Sequence, residues 1–111
     1  MIEHVSYFFG GAFLANSIPH LTNGISGRAF PTPFSQPRGQ GESSASLNVL
    51  WAAFNLMIAY GLITQVGEFN LLAASHIGLA GLGGLLMALF LAWRFSPLYG
   101  GNEPKSPPPS K

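Results

Sequence analysis

Charged side chains cut the chain into long apolar stretches, and residues 4–27, 43–67 and 69–93 contain no Lys, Arg, Asp or Glu. Within them, the apolar runs 2–21, 47–66 and 71–95 each reach the roughly 20 residues that cross a hydrocarbon core of about 30 Å at about 1.5 Å per helical residue. The pattern predicts an all-α membrane protein with three transmembrane helices. The third run is a near-continuous series of Leu, Ala, Gly and Phe. The first is the marginal span, because it carries Ser6, Asn16, Ser17 and Pro19. A cleaved secretory signal would begin with Lys or Arg, whereas this chain begins Met1-Ile2-Glu3-His4, so the first run reads as a retained helix.

The connections differ in kind. Residues 22–46 hold Gly24, Gly27, Gly39, Gly41, Pro31, Pro33 and Pro37 and follow neither a helical nor an alternating period, which makes them a long Gly/Pro-rich loop. At its centre, Phe30-Pro31-Thr32-Pro33-Phe34 suggests extended, polyproline-like backbone with two Phe rings free to dip into the headgroup layer. Ser43, Ser44 and Ser46 offer oxygens to cap the second helix, and Glu42 complements its positive end. Residues 67–70 suit a tight hairpin between antiparallel helices. The tail, 96–111, has five prolines and two glycines and reads as mobile, leaving 1–95 as a single membrane domain.

Composition sharpens this reading. Of 111 residues 48% are apolar and 8% charged, against roughly a quarter charged in soluble domains. With no Cys there is no disulfide framework, thiol nucleophile or Cys-ligated cluster. The net charge of +1 gives no reason to expect nucleic acid. With three spans, the long loop and the tail share one side, and Arg28, Arg38, Arg94, Lys105 and Lys111 all fall there. The positive-inside rule then sets the N-terminus and the short connection outside and the loop and tail in the cytoplasm, N-out/C-in.

Small residues mark helix interfaces in lipid. Ala80, Gly84, Ala88 and Ala92 recur every fourth residue, with Gly78 and Gly81 beside them, and the first span offers Gly11 and Ala15. The three spans are therefore expected to pack together. Asn48 and Asn55 share one face of the second helix, and Asn16 and His20 one face of the first. They read either as interhelical polar glue or as a polar pocket at the cytoplasmic end, with Arg28 folding back from the loop. His76 is the ionisable group placed well inside a span, and an intramembrane His is a functional candidate. His4 and Glu68 lie within reach of it if the helices are adjacent. Those three are the weak candidates for a metal, and His4 with His76 for a haem, but no short ligand spacing supports either, and no cofactor is expected.

Catalytic groupings are missing. The chain has no Asp and four scattered Glu, no phosphate loop follows a strand, and Gly24-Ile25-Ser26-Gly27 is not a nucleophile elbow. The run Pro19-His20, Gly24, Gly27-Arg28, Phe30-Pro31-Thr32-Pro33-Phe34, Gly39, Gly41, Ser43-Ser44, Asn48, Trp51 and Asn55 resembles a family of small bacterial multi-pass inner-membrane proteins. The resemblance covers about the middle third of the chain and implies a bacterial inner-membrane setting without implying an activity. The leading expectation is a non-enzymatic accessory, scaffold or self-associating subunit that meets a membrane-protein partner or a second copy through its cytoplasmic loop. Arg28, Phe30, Phe34 and Arg38 would then touch the partner or lipid headgroups. The competing expectation is transport, or binding of a small molecule or ion, through Asn16, His20, Asn48, Asn55 and His76 in an oligomer.

Overall fold

The computed structural model describes residues 1–106 and is all-helical there: α1 Ile2–Ile25, α2 Ala45–Thr64 and α3 Ala74–Tyr99. Lys111 and the prolines at 107–109, part of the expected tail, lie outside the described residues. Two of the helices, α2 and α3, are long and apolar enough to cross a membrane. The first helix is long enough, but Asn16, Ser17, His20 and Asn23 dilute its apolar character.

The polar helix is the central one. Both α2 and α3 pack on α1 and not on each other, so the expectation that all three faces meet is corrected. Toward α2, α1 turns its polar groups: the Ser6 hydroxyl donates to the Leu62 carbonyl, Asn16 bonds Asn55, and His20 bonds Asn48. Toward α3 it turns its small ones. A Cβ on Gly11 would overlap the Ala80 carbonyl, and one on Gly83 would overlap the Phe8 carbonyl. Such backbone-on-backbone approach maximises dispersion contact along the seam. A polar helix between two apolar ones is shielded on both flanks.

The ridge on α3 is only half right. Ala80 and Gly84 face α1, but Ala88 and Ala92 are exposed, and the buried small residue is Gly83. A step of four residues over-rotates by about 40° on a helix of 3.6 residues per turn. After three such steps the ridge has left the seam. On α1, Gly11 is buried and Ala15 half-buried.

Helix ends also move. α1 runs past residue 21 to Ile25, where the Thr22 and Asn23 side chains bond back to the Ile18 and Pro19 carbonyls. The chain then leaves through Gly27 at φ 74°, a conformation that glycine adopts without a Cβ penalty. α2 starts as expected, with the Ser44 hydroxyl accepting from the Leu47 N–H at 3.1 Å. α3 starts late, at Ala74, because Asn70 folds residues 70–73 into a turn: its side-chain oxygen accepts from the Leu72 N–H and its carbonyl from the Ala73 N–H. It also ends late. Residues 96–99, expected to be mobile tail, continue the helix through Pro97 to a left-handed cap at Gly100. Phe95 and Tyr99, one turn apart, pack on Phe30 with ring centroids 4.9 and 5.7 Å away, which offsets the hydrogen bond that Pro97 removes.

Residues 65–73 are not a hairpin between paired helices. They cross the N-terminal end of α1, with Gly67 over Glu3 and Tyr7 and the Phe69 ring 5.0 Å from that of Tyr7. The long connection is not extended either. Phe30 and Ser43 exchange both backbone hydrogen bonds, at 3.2 and 3.0 Å, while Thr32 and Ser35 close the turns between them. The loop is a folded cap over the end of the helices. α3 clamps it: Arg94 donates to the Gly39 carbonyl at 2.7 Å, and the Tyr99 hydroxyl donates to Glu42 at 2.9 Å.

Candidate binding site under the loop

Under the cap lies an open recess of about 350 Å³ that all three helices border, lined by Asn16, His20, Pro31, Thr32, Pro33, Arg38, Gly39, Trp51, Arg94 and Phe95. Two of the polar intramembrane residues singled out in the sequence, Asn16 and His20, form its wall. Two more of the five, Asn48 and Asn55, are fully buried behind them and hold them in place.

Hydrogen-bond donors and acceptors fix how they are held. The Asn48 amide nitrogen donates to the carbonyls of Phe30, Ser43 and Ser44 at 2.8, 3.2 and 2.9 Å. Its oxygen therefore faces His20, whose Nδ1 lies 2.7 Å away and must carry the proton. In the neutral ring the lone pair is then on Nε2. Likewise the Asn55 amide donates to the Trp51 carbonyl at 2.8 Å, so its oxygen accepts from Asn16 Nδ2 at 2.9 Å. Asn16 keeps its own oxygen as an acceptor. Neither His20 Nε2 nor Asn16 Oδ1 has a partner among the described residues.

Arginines complete the wall, but not the one expected. Arg28 is exposed, bonds the Asn23 side chain at 3.2 Å and does not reach the cavity; the left-handed turn at Gly27 carries it away from the bundle. Arg38 and Arg94 occupy that role. The aromatic pair of the loop also divides. Phe30 is 8% exposed and sits between His20, Phe95 and Tyr99, so it is a core residue and not a free ring. Phe34 is 60% exposed and meets the Trp51 edge at 5.3 Å. Arg94 was legible only as a charge near a helix end, and nothing in the sequence paired it with Gly39.

His76 belongs to a second cluster at the opposite end. It lies in the first turn of α3, not deep in a span, because the turn at Asn70 delays the helix. Its ring is 5.7 Å from that of His4 and 4.8 Å from that of Tyr7, so the adjacency of His4 and His76 expected from the sequence is found. Glu68 is exposed, and among the described residues no three His, Cys, Asp or Glu side chains converge as metal ligands. Moreover, the Asn70 N–H donates to His76 Nδ1 at 3.0 Å, which uses the lone pair of the neutral ring and leaves a proton on Nε2. A neutral ring that ligated a metal through Nε2 would carry its proton on Nδ1 and lose the bond from the Asn70 N–H. No known protein family, curated protein or solved structure matches this chain, so its own side chains carry the functional reading.

Proposed function

We propose that the chain is a small, non-enzymatic, three-span protein of a bacterial inner membrane, oriented N-out/C-in, whose loop-capped end receives a small polar molecule. The apolar surface supports the membrane setting. α3 buries only Gly83, while Leu82, Leu85, Leu86, Leu89, Phe90 and Trp93 are exposed, an apolar face that water would not tolerate in a monomer. At about 1.5 Å per residue the 26 residues of α3 extend about 39 Å, enough to span a core of about 30 Å with some tilt. Because α1 and α2 run antiparallel, Arg28, Arg38, Arg94 and Lys105 gather at one end and Glu3 and Glu68 at the other, which favours a cytoplasmic loop.

The observation that carries the binding reading is the layer of fully buried amides behind the cavity. Asn48 and Asn55 fix the side chains of the wall in single orientations, as a preorganised site requires; packing glue alone would not aim acceptors into an open space. Native mass spectrometry of the protein extracted in mild detergent tests it. A small molecule is expected on the wild type and not on Pro33→Phe, which fills the cavity from an exposed loop position; a bare protein in both cases would overturn the reading.

An accessory role through the loop is the second reading, favoured by one observation: exposed Phe34 and exposed Arg28 offer an aromatic and a cation to a partner or a second copy. The two readings separate in complementation. Loss of phenotype with Phe34→Ala or Arg28→Ala, but not with Asn55→Leu, would favour the partner.

A further inference from the structure

The geometry points to a phosphomonoester, free or as a lipid headgroup, as the ligand of the cavity under the loop. This rests on the receptor reading and adds the chemical class. The first argument is charge. Arg38 and Arg94 both line the cavity and no acidic side chain does. Glu42, in the same loop, does not line the cavity and accepts from the Tyr99 hydroxyl at 2.9 Å. Arg94 spends one nitrogen on the Gly39 carbonyl at 2.7 Å, which anchors it and leaves the other N–H groups of its fork available; Arg38 makes no side-chain hydrogen bond or ion pair among the described residues. Arg38 is exposed and Arg94 half-buried; two guanidinium groups on one recess repel each other and are stabilised by an anion that both can reach.

The second argument is the donor and acceptor balance of the opposite wall. His20 Nε2 and Asn16 Oδ1 are both acceptors, set that way by Asn48 and Asn55. A plain carboxylate has only acceptor atoms: it would satisfy the arginines and leave both of these groups unpaired, each a desolvation cost. A monoprotonated phosphomonoester carries charged oxygens for the arginines and one P–OH donor, which pairs one of the two acceptors, His20 Nε2, where a carboxylate pairs neither. Its ester substituent would lie against the Trp51, Pro31 and Pro33 surfaces, which make most of the wall apolar. The site thus selects an anion that is also a donor.

The test uses the full chain in phosphatidylcholine nanodiscs, with Trp93→Phe removing the exposed indole that does not line the cavity so that Trp51 reports alone. Titrated with phenyl phosphate, Trp51 fluorescence should change saturably, and benzoate should bind at least about ten-fold more weakly, the value of one charge-assisted hydrogen bond. Arg38→Gln should weaken phenyl phosphate by about ten-fold or more, whereas Arg28→Gln, the same loss of charge outside the cavity, should leave it within about two-fold. Adding phosphatidic acid to the nanodiscs separates the sources: competition identifies a lipid headgroup, and its absence a soluble phosphomonoester. The inference is overturned if no saturable response appears with either, if benzoate binds as well, or if the two arginine variants lose equally. A phosphate failure with another molecule retained in native mass spectrometry would sink the ligand class and leave the receptor reading standing. Phenyl phosphate binding that survives Pro33→Phe would place the site elsewhere and sink both.

Discussion

Asn48 does more than any other single side chain in this molecule. Its amide joins three elements: it donates to three carbonyls of the loop and the α2 N-terminus and accepts from His20 on α1, with no exposed surface of its own. Asn48→Leu would leave the His20 Nδ1–H without an acceptor in an apolar interior, at about 1–3 kcal/mol, and would take a second hydrogen bond from the Phe30, Ser43 and Ser44 carbonyls, which keep their backbone partners. A loss of about 3 kcal/mol or more is expected, read as unfolding in mixed detergent micelles, together with release of the loop to proteolysis. Asn55→Leu removes a bond to the already helix-bonded Trp51 carbonyl and one to Asn16, and should cost about 1 kcal/mol, near the usual value for intramembrane polar contacts. If the two variants prove equally stable, the loop is not held through Asn48. Both asparagines were legible in the sequence as residues that need partners. Their partners were not, because an amide can pair with any of several carbonyls and only the fold decides which. Phe30 shows the opposite failure: an aromatic between prolines looks like a surface anchor, and what buries it is Tyr99, 69 positions away in a segment that reads as tail.

At the scale of elements, the seam between α1 and α3 separates glycines that must be glycine from those that are incidental. Gly11 and Gly83 touch carbonyl groups of the facing helix, whereas Gly78 and Gly81 face open space. Alanine at 11 or 83 has to push the helices apart, and backbone cannot yield as a side-chain tip can. Those variants should lose about 2 kcal/mol or more, at the upper end of overpacking costs. Gly81→Ala removes only the helix penalty of glycine and should gain up to about 1 kcal/mol. Thermal unfolding in detergent distinguishes the classes; a similar change at 81 and 83 would contradict the seam. Helix existence was legible from apolar run length, and the start of α2 from its serines. The displaced ends of α1 and α3 were not, because they depend on contacts from other parts of the chain: the Asn70 turn, and the stacking of Phe95 and Tyr99 on Phe30.

For the whole molecule, the order of the helices in space explains why a polar first helix is compatible with a membrane. Were α1 to lie at an edge with its polar face outward, Asn16 and His20 would approach lipid, at a cost of several kcal/mol for each unsatisfied group. Between α2 and α3 they face protein and the cavity, and the outer helices turn mostly Leu, Phe and Met side chains outward, the surface a bilayer would meet. That arrangement fixes a topological consequence. The folded loop and the end of α3 lie together at one end, and the connection 65–73 covers the other. A chain free of cysteine allows single reporters at each end without altering its chemistry. Cysteine introduced at exposed Glu68 should react with a membrane-impermeant maleimide on intact spheroplasts, whereas cysteine at exposed Gln40 should react only after lysis. The opposite pattern would invert the orientation and put the arginine-lined cavity on the outer face. Labelling of both from outside would mean that α2, the helix between the two sites, does not cross, and would sink the three-span reading.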